Sequence, residues 1–515
     1  MKKVTWKMAA CFLAVLLVCM PVLTGCDKPE EEPETTLDEV SEGATEAASE
    51  ETTEETTEET TKPEDTIEAS KGLAFVSNGD GTCFVSGIGE CTDTDVVIPS
   101  VSPAGDRVVR IGHNAFQGNQ ELTSVIIPRG VTEIGHAFDF CLRLTSVTLP
   151  DGLLWIDAYA FNDCEALINI NIPDSVTTIG NDAFTDCRNL SVQNEGGVHY
   201  IDHWVVGCDP NVTTVTLRSD TVGIYYRSFA DCSQLTSITI PDSVVSVGIN
   251  AFTDCKKLIQ VENGIHYVDR WVVDCDTTIK TAVLRSDTVG IGDLAINECA
   301  NLESIIIPDS VKYIGQGGVI RCPKLTNIVI PAGVKKIESY SFTDCPALAS
   351  ITVQKGNSVY HSEGNCLIET ESKTLLTGCK SSVIPTDDSV NRIGIAAFMG
   401  CEGLTSIDLP ANVRCIAEGA FMRCGNLSSI ILPDGIMCIN DLTFFACTSL
   451  TSMTIPAGMT FIGSSAVAFC ENLTDITYSG NKAQWEALNT KDSLQNEALT
   501  SATIHCTDGD ITPEQ

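Results

Sequence analysis

Residues 299–342 read CANLESIIIPDSVKYIGQGGVI followed by RCPKLTNIVIPAGVKKIESYSF, and the same phrase restarts at Cys345. Cys299, Cys322 and Cys345 are 23 residues apart. With each Cys as offset 0, Leu falls at 3 (Leu302, Leu325) and Ile at 6 and 8 (Ile305, Ile307; Ile328, Ile330). Pro follows at 9 (Pro308, Pro331), Val at 12 (Val311, Val334), Ile at 15 (Ile314, Ile337) and a bulky apolar residue at 20 (Val319, Phe342). Self-similarity at a fixed period of this size is the signature of a stacked-repeat solenoid and outranks any local reading.

The same ruler fits most of the chain. Cys141, Cys164 and Cys187 form one run, Cys232 and Cys255 a second, and Cys401, Cys424, Cys447 and Cys470 a fourth; an upstream copy carries Asn119 in the Cys slot. Each offset has a physical reading. Apolar residues at 6 and 8 alternate with the period of a strand and share one buried face. Pro at 9 cannot donate to a ladder and ends that strand. The apolar pair at 12 and 15 marks a second short extended segment, Gly at 16 suits a corner, and Ala-Phe at 19 and 20 suggests a short helical turn. One coil cannot bury these side chains alone; stacked neighbours bury them for each other.

Outside the array, composition changes sharply. Residues 1–25 have Lys2, Lys3 and Lys7 before a largely apolar run from Met8 to Leu23, the pattern of an export signal rather than a spanning helix. The run ends Leu23-Thr24-Gly25-Cys26. Residues 26–70 hold 18 Asp/Glu against two Lys with almost no large apolar side chains, a composition that cannot offset chain entropy by burial and implies an extended acidic spacer. Of the net charge of −38, the signal carries +3 and the linker −16, which leaves 71–515 at −25. Residues 71–112 read as an N-terminal cap with a hairpin around Asn78-Gly79-Asp80-Gly81, 113–478 as the solenoid, and 479–515 as a C-terminal cap with a helix-like stretch through Trp485, Leu488 and Leu494.

Three intervals are stretched: 45 residues from Cys187 to Cys232, 44 from Cys255 to Cys299, and 56 from Cys345 to Cys401. The first two contain near-duplicates, VHYIDHWVVGCDPNVTTVTLRSDTVGI and IHYVDRWVVDCDTTIKTAVLRSDTVGI. Each reads as a variant coil plus an ordinary one. About 16 coils at ~4.8 Å per strand predict a body ~75 Å long.

The pattern C-x-x-L-x-x-I-x-I-P-x-x-V-x-x-I-G-x-x-A-F resembles the BspA-type leucine-rich repeat family of bacterial surface proteins, over roughly residues 72–506. The resemblance implies a β-rich leucine-rich repeat solenoid of short parallel strands at the cell surface, non-enzymatic, binding proteins or other cells. The Leu23-Thr24-Gly25-Cys26 stretch resembles the bacterial lipobox, which implies a lipidated Cys26 on the outer face of the cell membrane. No cofactor is implied, and a monomer is expected.

Candidate site residues follow from the ruler. The ladder of Cys141, Cys164, Cys187, Cys232, Cys255, Cys299, Cys322, Cys345, Cys401, Cys424, Cys447 and Cys470 reads as small buried thiols bonding the turn backbone, since Asn119 takes the same slot. Parallel-stacked Cβ vectors suit disulfides poorly; Cys83 with Cys91, or Cys415 with Cys438, are better placed. Offsets 4, 5 and 7 give a hydroxyl-rich face: Thr145, Ser146, Thr148; Thr236, Ser237, Thr239; Thr405, Ser406, Asp408; Thr451, Ser452, Thr454. It is either a docking wall or a solvated face where Thr serves strand propensity. Trp204 and Trp271 are candidate sugar platforms, the basis of an alternative reading as a carbohydrate-capturing lipoprotein. His199 and His266, with Asp202 and Asp269, match no zinc spacing, so no metal is expected. Nucleophile-elbow, metalloprotease, phosphate-loop and dinucleotide motifs are all missing from the sequence. The acidic body disfavours nucleic acid and other polyanions as partners.

Overall fold

The computed structural model describes residues 68–78, 81–488 and 496–513. The signal, the lipobox and most of the acidic linker lie outside them. From Ala69 onward the chain is one β-solenoid of about 17 turns, each about 23 residues long. Most coils have two short strands, at offsets 5–7 and 14–15, and these pair in parallel with their counterparts one coil away. Ser124–Ile126, Ser146–Thr148 and Asn169–Ile170 illustrate the first ladder; Arg107–Ile111, Glu133–Ile134, Trp155–Ile156 and Thr178–Ile179 illustrate the second.

The motif letters are the turns that join these strands. Leu144 N–H bonds the Cys141 carbonyl (3.1 Å), Leu153 N–H the Pro150 carbonyl (3.2 Å), Ala160 N–H the Asp157 carbonyl (3.2 Å), and Cys164 N–H the Phe161 carbonyl (3.2 Å). Each is an i to i+3 closure, so C-x-x-L, P-x-x-V, G-x-x-A and F-x-x-C are four successive corners of one coil. Leu144, Ile156, Ala160 and Phe161 between them are fully buried.

Two local expectations are corrected. The Ala-Phe stretch is not helical. It is a pair of turns with left-handed residues at offsets 18 and 22, such as Tyr159 (φ 58°) with Asp163 (φ 54°) and Asp182 (φ 55°) with Asp186 (φ 56°). Asp tolerates that region, and the stacking imposes it on Leu442 (φ 57°) and Phe469 (φ 58°) as well. Among the described residues helix occurs only in the C-terminal segment, at Lys482–Ala487 and Glu497–Ser501; Leu494 lies outside them. Glycine at offset 16 is not there for a left-handed corner either. A Cβ on Gly180 would lie 2.3 Å from the Ala158 nitrogen, and one on Gly463 2.5 Å from the Asp441 nitrogen. At these two positions the neighbouring coil's backbone leaves no room for a side chain, although other coils carry Asp157, Ala417 or Asn440 at the same offset.

The stretched intervals are not plain coils. Each inserts three antiparallel strands, the first being Gln193–Glu195, Val198–Ile201 and Trp204–Cys208, whose last strand joins the second ladder in parallel at Gly223–Ile224. At the N-terminal end Ala74–Ser77 and Thr82–Gly87 form an antiparallel hairpin that enters the same ladder. At the other end Thr503–Cys506 pairs in parallel with Asp475–Tyr478, and Gly509–Ile511 closes the edge antiparallel to it.

The array does not run straight. Its second ladder turns inward, and coils near the start meet coils near the end. The Phe84 ring meets Phe461 edge-on at 6.5 Å, and His113 Nε2 lies 2.8 Å from Glu418 Oε2. Further along, Lys336 Nζ donates to Thr178 Oγ1 at 3.2 Å, and Thr178 donates to Glu338.

Candidate binding face and inner surface

The cysteine ladder is a set of inter-coil ties. Cys141 Sγ donates to the Phe116 carbonyl (3.1 Å), Cys164 to Phe138 (3.2 Å), Cys187 to Phe161 (3.1 Å) and Cys255 to Phe229 (3.0 Å); Cys424, Cys447 and Cys470 bond Phe398, Phe421 and Phe444 at 3.1 Å each. The acceptor belongs to the Phe one coil further back, and those Phe rings stack: Phe116 on Phe138 at 5.2 Å, Phe398 on Phe421 at 5.1 Å. Burial pushes the thiols up, Cys141 and Cys470 to about 12, so they stay protonated donors. Where Val319 or Ile296 replaces Phe the tie loosens: Cys322 reaches the Ile296 carbonyl only at 3.9 Å, and Cys345 turns to Thr343 at 3.4 Å. Cys401 is likewise buried. Asn119 caps its own turn instead, its Oδ1 accepting from Glu121 and Leu122 N–H at 2.9 and 3.1 Å. None of the described cysteines is in a disulfide; Cys83 donates to the Asp106 carbonyl at 3.6 Å, and Cys415 and Cys438 are both buried.

The hydroxyl face divides by offset. At offset 4 the hydroxyls are occupied. Thr145 Oγ1 donates to the Thr123 carbonyl (2.9 Å), Thr236 to Thr213 (2.9 Å) and Thr451 to Ser428 (3.1 Å). This row ties coil to coil as the thiols do on the inside. At offsets 5 and 7, Ser146, Thr148, Ser237 and Thr239 stand exposed, while Ser452 and Thr454 are half-buried. Thr405, Ser406 and Asp408 are exposed but belong to no strand.

The same face carries a feature the Cys-slot reading passed over. At offset 7 of three successive coils stand Val283 (48% exposed), Ile306 (57%) and Val329 (40%). Val283 and Ile306 are register partners, and Val329 pairs with Thr352 at the end of the row. Thr281 and Asn327 stand exposed beside the stripe at offset 5, and Ser304 half-exposed between them. The signal in sequence is the unbroken Ile305-Ile306-Ile307, where strand alternation calls for a polar middle residue.

Trp204 and Trp271 do not present a ring to solvent. Each is 2% exposed. Their indoles lie over Gly223 and Gly290, the only side-chain-free partners that leave room, and Trp271 also stacks on Tyr313 at 6.0 Å. The sugar-platform reading is withdrawn for that reason. His199 pairs with Asp209 (2.9 Å) and His266 with Asp276 (3.1 Å), while Asp202 and Asp269 accept the Ile172 and Ile240 N–H groups. The duplicated RSD sequences have a packing purpose: Arg218 lies 4.2 Å over the Tyr200 ring and Arg285 4.0 Å over Tyr267, each reaching back to a Gln and a Glu of its hairpin. Among the described residues no cluster could hold a metal, and no helix is long and apolar enough to cross a membrane.

On the inner surface a cleft of about 690 Å³ opens between Phe84, Arg110 and His113 on one side and Glu418, Asp441 and Phe461 on the other. Burial works against a charge on His113. The carboxylate of Glu418, its hydrogen bond, and Asp157 outweigh it and raise His113 to about 10. The folded value lies above the ordinary one near 6.5, so the bridge stabilises fully below about pH 6.5 and fades as pH climbs toward 10. Wild type is therefore expected to lose about 1–3 kcal/mol between those limits. Urea midpoints should show His113→Gln losing less over the same window; parallel curves for the two would refute the bridge.

A family profile described as BspA type Leucine rich repeat region, in six copies, matches residues 109–221, 200–316, 273–376 and 369–489. The chain belongs to the BspA-type leucine-rich repeat family. Among solved structures, this BspA-type array is similar to a leucine rich cell surface protein from Faecalibacterium prausnitzii A2-165 (24% identity, 83% of this chain and 98% of that one, TM-score 0.36). It is also similar to leucine-rich repeat proteins from Bacteroides ovatus (24%, 84% and 98%, TM-score 0.29) and T. pallidum (23%, 50% and 88%, TM-score 0.24). No curated protein matches it.

Proposed function

We propose that this protein is a non-enzymatic, lipid-anchored surface adhesin whose outer ladder docks a protein on another cell, a host surface or wall material. The observation that carries the reading is the contiguous aliphatic stripe Val283–Ile306–Val329, flanked by polar residues at offset 5, on a wall where Ile431 is a single exposed aliphatic. A solvated face has no need of three adjacent exposed aliphatics, whereas interfaces place an apolar centre inside a polar rim. The lipobox at Cys26 and the acidic spacer would hold the wall clear of the membrane.

The test uses bacteria displaying the full chain over immobilised host-cell and matrix proteins. Ile306→Glu with Val329→Lys is expected to lower capture of a bound partner roughly tenfold, since charging an interface centre costs at least a kilocalorie or two. Unchanged capture, or equal capture by residues 26–70 alone, sinks the proposal. Cys26→Ser is expected to release the protein from the membrane fraction; release of the unaltered chain refutes the anchor.

A further inference from the structure

The ladder thiols owe their backbone acceptors to a Phe turn one coil further back, and behind each of the three inserted hairpins that turn does not exist. The acceptor Phe stands 26 residues before its Cys, and 26 residues before Cys232 and Cys299 stand Val206 and Val273, both on inserted hairpin strands. Each of those strands ends in a cysteine. Cys275 closes Trp271–Cys275, and its Sγ lies 2.9 Å from Cys299 Sγ. Cys208 closes Trp204–Cys208 in the duplicate unit, where its thiol is a hydrogen-bonding partner of Cys232; both thiols donate to the Asp209 carbonyl, at 3.4 and 3.6 Å.

These pairs differ from neighbours within the ladder. Cys299, Cys322 and Cys345 occupy equivalent positions of stacked coils, so their Cα–Cβ bonds run parallel. Cys275 and Cys208 end the last strand of an inserted hairpin, 24 rather than 23 residues before the ladder cysteine, so they do not fill the repeat's Cys slot, and Cys275 Sγ already lies within 2.9 Å of its partner. The third inserted hairpin lacks the arrangement: Cys379 Sγ turns to the Asn365 carbonyl at 3.7 Å.

We propose that Cys275 with Cys299, and Cys208 with Cys232, are two disulfide sites that lock the inserted hairpins onto the coils that follow them. The oxidant is an external disulfide. A thiolate of the pair attacks it and releases one thiol; the second cysteine then attacks the mixed disulfide and releases the other. Net, two protein thiols and R–S–S–R give one protein disulfide and two R–SH. In the closed array Cys299, set between the Cys275 and Cys322 thiols and buried, is held up at about 12, the contact with Cys299 and burial push Cys275 well up, and burial pushes Cys208 well up, so the exchange belongs to folding, before the coils dock.

The test refolds the full chain in an oxidised and reduced glutathione mixture, blocks remaining thiols with iodoacetamide and digests with trypsin. Arg218 and Arg227 separate Cys208 from Cys232, and Lys280 and Arg285 separate Cys275 from Cys299. Before blocking, the intact chain is expected about 4 Da lighter than its fully reduced form, two hydrogens per bond. The digest is expected to contain both cross-linked peptide pairs. Cys275→Ser should lose one pair and leave Cys299 alkylated, with the Cys208–Cys232 pair retained. Alkylation of all four residues in wild type overturns the proposal, as does pairing of Cys299 with Cys322. The wild-type digest decides this even if the variant fails to fold.

Discussion

Phe421→Ala is expected to lower the unfolding free energy by about 3–5 kcal/mol, the range for emptying a buried aromatic site. The ring is fully buried between Phe398 at 5.1 Å and Phe444 at 5.5 Å, within 6° of parallel to both. Removing it leaves two stacking partners facing a void that neither can fill, because each is fixed to its own coil by the turn bonds around it. The carbonyl of residue 421 remains, so the Cys447 tie at 3.1 Å is not deleted directly; the loss is packing. In a solenoid each coil contacts mainly its neighbours. Hydrogen exchange should therefore accelerate most around residues 398–470, with urea denaturation giving the total. Ile306→Ala is the control, at less than about 0.5 kcal/mol for an exposed site. Equal costs for the two would mean the Phe column is not the core.

Gly290→Ala is expected to cost about 2–3 kcal/mol although it adds a single methyl. The Gly290 backbone is ordinary, paired in parallel with Trp271. The added Cβ, however, would lie 2.2 Å from Trp271 Cζ3 and 2.5 Å from Cε3. The indole cannot retreat, since Tyr313 stacks on it and it is 2% exposed. The methyl must expel the ring or separate the strands. A red-shifted tryptophan emission with a lower melting temperature is the expected result, and Gly223→Ala should repeat it at Trp204. An unchanged spectrum and melting temperature would show that the ring does not occupy that site.

The same two sites show how far the residue pattern could be read. The Phe column was legible because its period is the period of the coil: a residue recurring every 23 positions in a stacked array must meet its own copies. The Trp–Gly contact was not, although both units spell it out. Trp204 and Gly223 are 19 residues apart within an interval that breaks the period, and only the parallel pairing of the hairpin strand with the next coil brings them together. The hydroxyl row was placed on the correct face, but its division was invisible. Thr145 and Ser146 are both exposed polar residues, yet one is committed to the Thr123 carbonyl and the other is not.

By itself the sequence determined the coil: where each turn closes, which side chains face inward, and which residues repeat outward. Those follow from short-range constraints, since Pro, Gly and alternating apolar residues act within one coil and its neighbour. Only the tertiary structure decided how the coils add up. Small rotations between successive coils accumulate along the array until His113 meets Glu418 and Phe84 meets Phe461. No 23-residue pattern encodes a contact between residues more than 300 positions apart. It also decided that Cys275 lies beside Cys299, because the inserted strand pairs onto the next coil and so brings together two cysteines 24 residues apart, a spacing that the 23-residue ruler does not contain.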